Sequence, residues 1–338
     1  MSNEVVLSVK NLSVVFHTPD GDVAAVSNVS FDLHSGETLG IVGESGSGKS
    51  VTASSIMRLN NSITATTTGS ILISGVDILT AVESEVRRIR GSEVAMIFQD
   101  PLSALNPYYT VGKQIAEAYL VHHPQVSKTD ARAVTLEMLK KVGIPNPEKR
   151  IDEFPHQFSG GMRQRIVIAI ALINNPKVLI ADEPTTALDV TVQAQILDLM
   201  KDLQAEFNMA IVLITHDLGV IAEAAKEVLV MYGGRVVEQS TVDALFSEPT
   251  HPYAWGLLGA VNSLSSSGRG ALATIAGSPP SLIALPRGCS FNPRCTYASE
   301  ICRSEVPVLR TVGTQGSVAA CHLADSEILT IGREVASR

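Results

Sequence analysis

Eight consecutive residues carry the plainest chemistry in this 338-residue chain. Gly43, Glu44, Ser45, Gly46, Ser47, Gly48, Lys49 and Ser50 fit the pattern G-x-x-x-x-G-K-[ST], with Val51 following. Glycines let the backbone curve until successive N–H groups face phosphate oxygens, and a helix expected to start near Lys49 adds its positive dipole end. Lys49 is expected to reach the β- and γ-phosphates of a nucleoside triphosphate, and Ser50 to ligate Mg²⁺. A second group, Asp182 and Glu183, ends the apolar run Val178 to Ala181. Asp182 suits Mg²⁺ held through water, and Glu183 suits a general base acting on an attacking water. A third, Ser159, Gly160, Gly161 and Met162, precedes the apolar run Ile166 to Ile173 and makes an anion cradle of hydroxyl and backbone N–H groups. Alone, that third group is an ordinary helix cap.

Cys289, Cys295, Cys302 and Cys321 are the chain's four cysteines, so almost 290 residues precede the first. Such clustering suggests metal ligation before disulfides in a reducing compartment. The gaps are looser than those of common zinc sites, and four thiolates suit either tetrahedral Zn²⁺ or a [4Fe–4S] cluster. His322, beside Cys321, reads as a bystander. The cysteine-bearing tail of about 50 residues reads as too small and too polar to build its own apolar core, so a bound metal group would fold it.

Around these groups the hydrophobic pattern predicts an α/β protein. Val5, Leu7 and Val9, and later Val29, Phe31 and Leu33, alternate with polar neighbours and predict an antiparallel β subdomain. Buried runs at Thr38–Val42, Val94–Phe98, Val178–Ala181 and Ala210–Ile214 predict a largely parallel sheet covered on both faces. Helical periodicity over Val111–Val121 and Lys128–Val142 marks an insertion, a helical subdomain over about 100–165. Val228–Tyr232, Gly233-Gly234 and Arg235–Glu238 predict a hairpin, and Ser263–Gly270 a flexible segment. The expected division is a nucleotide-binding domain over 1–250 and an extension over 251–338.

The net charge of −8 argues against nucleic acid as a partner. No run approaches a membrane span, and the first residues lack a secretory signal, so the expected location is the cytoplasm.

The three groups in this order resemble the ATP-binding cassette family. The resemblance extends to Gln99 in Ile97-Phe-Gln-Asp-Pro as the Q-loop, Asp189 in Thr186-Ala-Leu-Asp as the D-loop, His216 as the switch histidine and Phe16 as the aromatic that stacks on adenine. Singly, each is an ordinary strand-end or core residue; order and spacing favour the family. It implies a P-loop NTPase (RecA-like) fold with antiparallel, helical and C-terminal parts. It also implies MgATP hydrolysis with Lys49, Gln99, Glu183 and His216 in the chemistry, and Ser50, Gln99 and Asp182 around Mg²⁺. In the family two such subunits face head to tail, so Ser159, Gly160, Gly161 and Met162 would contact ATP held by a partner ATPase. The tail, with His251-Pro-Tyr-Ala-Trp and Pro286-Arg-Gly-Cys-Ser-Phe-Asn-Pro-Arg-Cys295, resembles the extension of oligopeptide and dipeptide importer ATPases. That subfamily implies a [4Fe–4S] cluster rather than Zn²⁺, a related second ATPase, two transmembrane permease subunits and an extracytoplasmic substrate-binding protein. It places the chain peripherally on the cytoplasmic face of the membrane. Importers of nickel or other small solutes, and soluble cassette ATPases, are the alternatives.

Overall fold

The computed structural model describes residues 4–100, 104–186, 188–265, 275–313 and 315–337, with the side chains of 261–265 excepted. Strands β1 (Val5–Thr18) and β2 (Gly21–His34) form a long hairpin. Its antiparallel sense is visible in side chain contacts, with Ser8 Oγ donating to Asp32 Oδ1 and the Asn11 and Asn28 N–H groups donating to Ser30 and Ser13 Oγ. With β4 (Ala65–Ile73) and β5 (Val76–Asp77) they make a four-stranded sheet in the order β2-β1-β4-β5. Of the alternating apolar positions, Leu7, Val9, Val29, Phe31 and Leu33 are buried, while Val5, at the start of the strand, is exposed.

The chain divides into two compact units. The first comprises 1–8, 32–37 and 72–212, and the second 9–31, 38–71 and 213–338.

In the first unit β6 (Val94–Ile97) pairs in parallel with β7 (Val178–Asp182), register Val94↔Val178 to Ile97↔Ala181. All five residues of β7 are buried, as a strand covered on both faces requires. The expected helical insertion is present as Val111–Leu120 and Lys128–Lys141, capped by the hydroxyls of Thr110 and Ser127. The helix Gly160–Leu172 follows.

In the second unit β3 (Thr38–Val42) pairs in parallel with β9 (Glu227–Tyr232), and β9 pairs antiparallel with β10 (Arg235–Thr241). Gly233 and Gly234, with φ of 55° and 78°, make the tight turn the hairpin needs. The chain passes from the first unit to the second within β8 (Ala210–Thr215), all of whose residues are buried.

The tail departs from expectation. It has a small apolar core of Trp255, Val312, Ala319 and Ile328, with Leu323, Leu329, Ile331 and Val335 packed against it. Its strands β11 (Arg310–Thr311) and β12 (Val318–Ala319) extend the sheet, β12 pairing with β10. The tail evades the size limit by sharing the Trp255 helix and the β10 edge, so an internal metal group is not its only means of cohesion. The helix Pro252–Ser265 also takes in the first residues of the expected flexible segment; residues 266–270 lie outside the described residues. So do Pro101–Ser103 of the Q-loop region and Ala187 of the D-loop region.

Candidate functional site

Strand β3 delivers its chain directly into the phosphate-binding pattern. Gly43 and Gly48 sit at φ of 153° and 102°, and a Cβ would lie 2.2 Å from Met231 O at the first and 2.6 Å from Ala25 O at the second. Only glycine allows the loop to lie this close to neighbouring backbone. The helix begins at Lys49, as expected, with Gly48 as its N-cap. Lys49 is buried, and its ammonium donates to Gly43 O at 2.7 Å, Glu44 O at 2.9 Å and Ser47 Oγ at 3.5 Å. A buried ammonium needs acceptors, and the loop's own oxygens supply them. Ser45, Gly46 and Ser50 are exposed, while Ser47 is buried. Phe16 lies half-buried on β1, and His216 is exposed just beyond β8. Asp217 caps the following helix, its Oδ1 accepting from Gly219 N at 2.7 Å.

The other candidates lie in the first unit, where Gln99 and Glu183 meet. Asp182 is buried at the end of β7. Glu183 follows at φ 49°, the left-handed region that a non-glycine residue enters only at a cost of about 1 kcal/mol. That turn swings its carboxylate toward Gln99, whose Nε2 donates to Glu183 Oε2 at 3.0 Å, and toward Thr186, whose hydroxyl donates to the same oxygen at 2.8 Å. Both of these donors are neutral. Thr186 was missed as a functional residue; its position three residues beyond Glu183, in a turn, was the available signal.

Ser159 caps the helix Gly160–Leu172, its hydroxyl accepting from Met162 N at 3.4 Å. Gly161 lies where a Cβ would come within 2.6 Å of Val192 Cγ1. Val192 N in turn donates to Asp189 Oδ1 at 3.0 Å, so Asp189 caps its own helix beside the Ser159–Met162 segment.

In the tail, Cys289, Cys295, Cys302 and Cys321 line one small cavity together with His251 and Phe291. Cys289 N donates to Cys302 O at 2.8 Å, which joins the two ends of the loop. Yet among the described residues no group of three or more His, Cys, Asp or Glu side chains is arranged to hold a metal ion. The expected [4Fe–4S] or Zn²⁺ site is thus supported by the convergence of the four cysteines on one cavity and by nothing further among the described residues. Burial pushes the Cys289 and Cys295 thiols up to about 11 and raises Cys321 as well. The sulfurs thus pack as neutral, weakly polar groups along an apolar wall. His251 is buried and kept neutral, its Nδ1 accepting from Tyr253 N at 3.0 Å.

Two contacts absent from the sequence expectations tie the tail to the phosphate loop. Arg294 pairs with the Glu44 carboxylate, and the Tyr253 hydroxyl accepts from Glu44 N.

The ABC transporter family model matches residues 26–186, and the model of the oligopeptide/dipeptide transporter C-terminal region matches 237–302. The chain is 54% identical to the oligopeptide transport ATP-binding protein OppD of Bacillus subtilis (strain 168), over 87% of this chain and 82% of that one. It is 50% identical to OppD of Escherichia coli (strain K12), over 96% and 95% of the two chains. With the dipeptide transport ATP-binding protein DppD of Lactococcus lactis subsp. cremoris (strain MG1363) it shares 52% identity over 91% and 88%. Among solved structures, the ATP-binding cassette MJ0796, a dimer in a post-hydrolysis state bound to ADP and Pi, superposes with a TM-score of 0.62 at 28% identity. That match covers 70% of this chain and 98% of that one. Two family models match the cassette and the tail, relatives at half identity or more align over most of the chain, and this protein belongs to the ABC transporter ATP-binding subunits of the oligopeptide/dipeptide type.

Proposed function

We propose that this chain hydrolyses MgATP to power an importer of dipeptides or oligopeptides. The observation that carries the reading is the identity to peptide-transport ATP-binding proteins over both cassette and tail, at half of all aligned positions. Lys49 would bind the β- and γ-phosphates, Ser50, Gln99 and Asp182 would be the residues that hold Mg²⁺, which would neutralise phosphate charge, and Phe16 would stack on adenine. Glu183, oriented by Gln99 and Thr186, takes the proton of the attacking water. His216 senses the γ-phosphate. Ser159, Gly160, Gly161 and Met162 close over ATP held by a second ATPase subunit, and Asp189 acts across that interface. The γ-phosphate then holds the two subunits together, and its loss lets them part.

Among the described residues no helix is long and apolar enough to cross a membrane. Membrane permease partners supply the path for solute, and the chain works at the cytoplasmic face with an extracytoplasmic binding protein delivering peptide. A groove of about 740 Å³ on the helical insertion, lined by Tyr109, Lys113, Val121 and Arg132, supports a docking place there for a short permease segment. Four cysteines on one cavity support a bound [4Fe–4S] cluster, with Zn²⁺ as the alternative. Such a group would cross-link Cys289, Cys295, Cys302 and Cys321. Anaerobic purification with iron, sulfide and zinc analysis tests it; one equivalent of zinc without iron or sulfide rules out the cluster.

The transport reading is tested in vesicles carrying the chain with its permease and binding protein. Peptide uptake that requires ATP and stops with Lys49→Ala is the expected result. Uptake of nickel but no peptide would overturn it.

A further inference from the structure

The loop between Cys289 and Cys295 carries a cation into the phosphate loop. The Arg294 side chain is 5% exposed and meets the Glu44 carboxylate in a fork, Nη1 donating to Oε2 at 2.6 Å and Nη2 to Oε1 at 3.0 Å. Its other donors are placed as well. Nε donates to Ala276 O at 2.9 Å, Nη2 to Ile275 O at 3.1 Å and Nη1 to the Tyr232 hydroxyl at 3.3 Å. Glu44 is held at its backbone too, its N–H donating to the Tyr253 hydroxyl at 2.8 Å and its carbonyl accepting from Lys49 Nζ at 2.9 Å. Beneath them Phe291 packs on the rings of Tyr232 and Tyr253, with centroids 5.1 and 5.5 Å apart.

A phosphate loop of this pattern needs its glycines, lysine and hydroxyl; it has no chemical need for a carboxylate at its second position. An unpaired carboxylate there repels a polyanionic ligand. A forked guanidinium neutralises that charge and also fixes its direction, which a single ammonium does not do as well. Burying the guanidinium is costly unless its partner is in place, so the pair orders both loops at once.

We propose that Arg294 is a positioning residue for nucleotide binding, holding Glu44 so that the phosphate loop keeps its curvature and loses its repulsive charge. The tail is then part of the ATP site. This rests on reading Gly43–Ser50 as the cradle for the ATP phosphates.

The test is the MgATP dependence of ATPase activity in the full chain assembled with its membrane partner. Arg294→Ala is expected to raise KM for MgATP about tenfold while kcat falls by no more than about twofold. Arg294→Lys, which keeps charge without the fork, should give an intermediate KM and decides the matter if the alanine variant fails to fold. In a Glu44→Gln background, Arg294→Ala should have little further effect on KM. Wild-type KM in a folded Arg294 variant overturns the proposal, even with a lowered Tm. An undiminished effect in the Glu44→Gln background also overturns it, because Arg294 would then act through some other group. Lys49→Ala separates the two readings: loss of MgATP binding upholds the cradle on which the clamp depends, and wild-type binding removes the cradle itself.

Discussion

Glu183 and Glu44 are both carboxylates just past the end of a buried parallel strand, and their surroundings differ in one decisive respect. Glu183, in the first unit, is held by the amide of Gln99 and the hydroxyl of Thr186. Neutral donors orient a carboxylate and leave its charge available to a water proton. Glu44, in the second unit, is matched by the Arg294 guanidinium across two hydrogen bonds, with that cation buried. Its charge is spent on structure. On the functions proposed for them, residue type alone does not separate a base from a brace; the donors named here do.

Replacing each carboxylate tests that contrast, beginning with the largest effect. Glu183→Gln in the assembled complex should lower phosphate release by roughly 10²–10⁴-fold, the range of general base catalysis, while ATP binding persists. Near-normal phosphate release would move Glu183 into the same class as Glu44. Thr186→Ala removes one donor to Glu183 and should lower kcat by roughly ten- to a hundredfold with KM for MgATP little changed, the worth of one hydrogen bond to a charged group. A change in KM alone would mean that Thr186 serves nucleotide binding instead of orienting the base.

A third carboxylate sharpens the comparison, because among the described residues no cation pairs with it. Glu238 is fully buried, and both its oxygens accept from Thr250 N at 3.0 Å. Burial outweighs those bonds and raises its pKa from 4.5 to about 7. The native state therefore keeps a proton between pH 4.5 and 7 that the unfolded chain has lost, so stability falls as pH rises through this window and the full penalty stands above it. Glu238→Gln removes the penalty. Urea unfolding should show the variant gaining on the wild type from pH 5 to pH 8, by up to roughly 3 kcal/mol. A constant difference across that range would contradict the buried, proton-bearing state.

How much of this was legible depended on how local the information is. The phosphate loop occupies eight consecutive residues, and the Gly233-Gly234 hairpin and the Ser127-capped helix are equally local. Strand β4 was not foreseen because Thr66, Thr67 and Thr68 break the apolar alternation. The tail strands have two residues each, too few to carry a period. The tail's apolar core was missed because Trp255 and Ile328 are far apart in sequence. Cysteine clustering foretold the convergence of the four residues; the ligation also expected of them depends on sulfur placement that spacing does not encode. The Glu44–Arg294 pair joins residues 250 positions apart, and no local pattern points from one to the other.

The most direct test is a MgATP titration of phosphate release by complexes carrying Glu183→Gln or Arg294→Ala, measured side by side. If the donors around each carboxylate set its task, the first variant loses kcat and still binds nucleotide, and the second keeps most of its kcat but needs about tenfold more MgATP. If both variants change the same constant to the same degree, the distinction between base and brace is wrong.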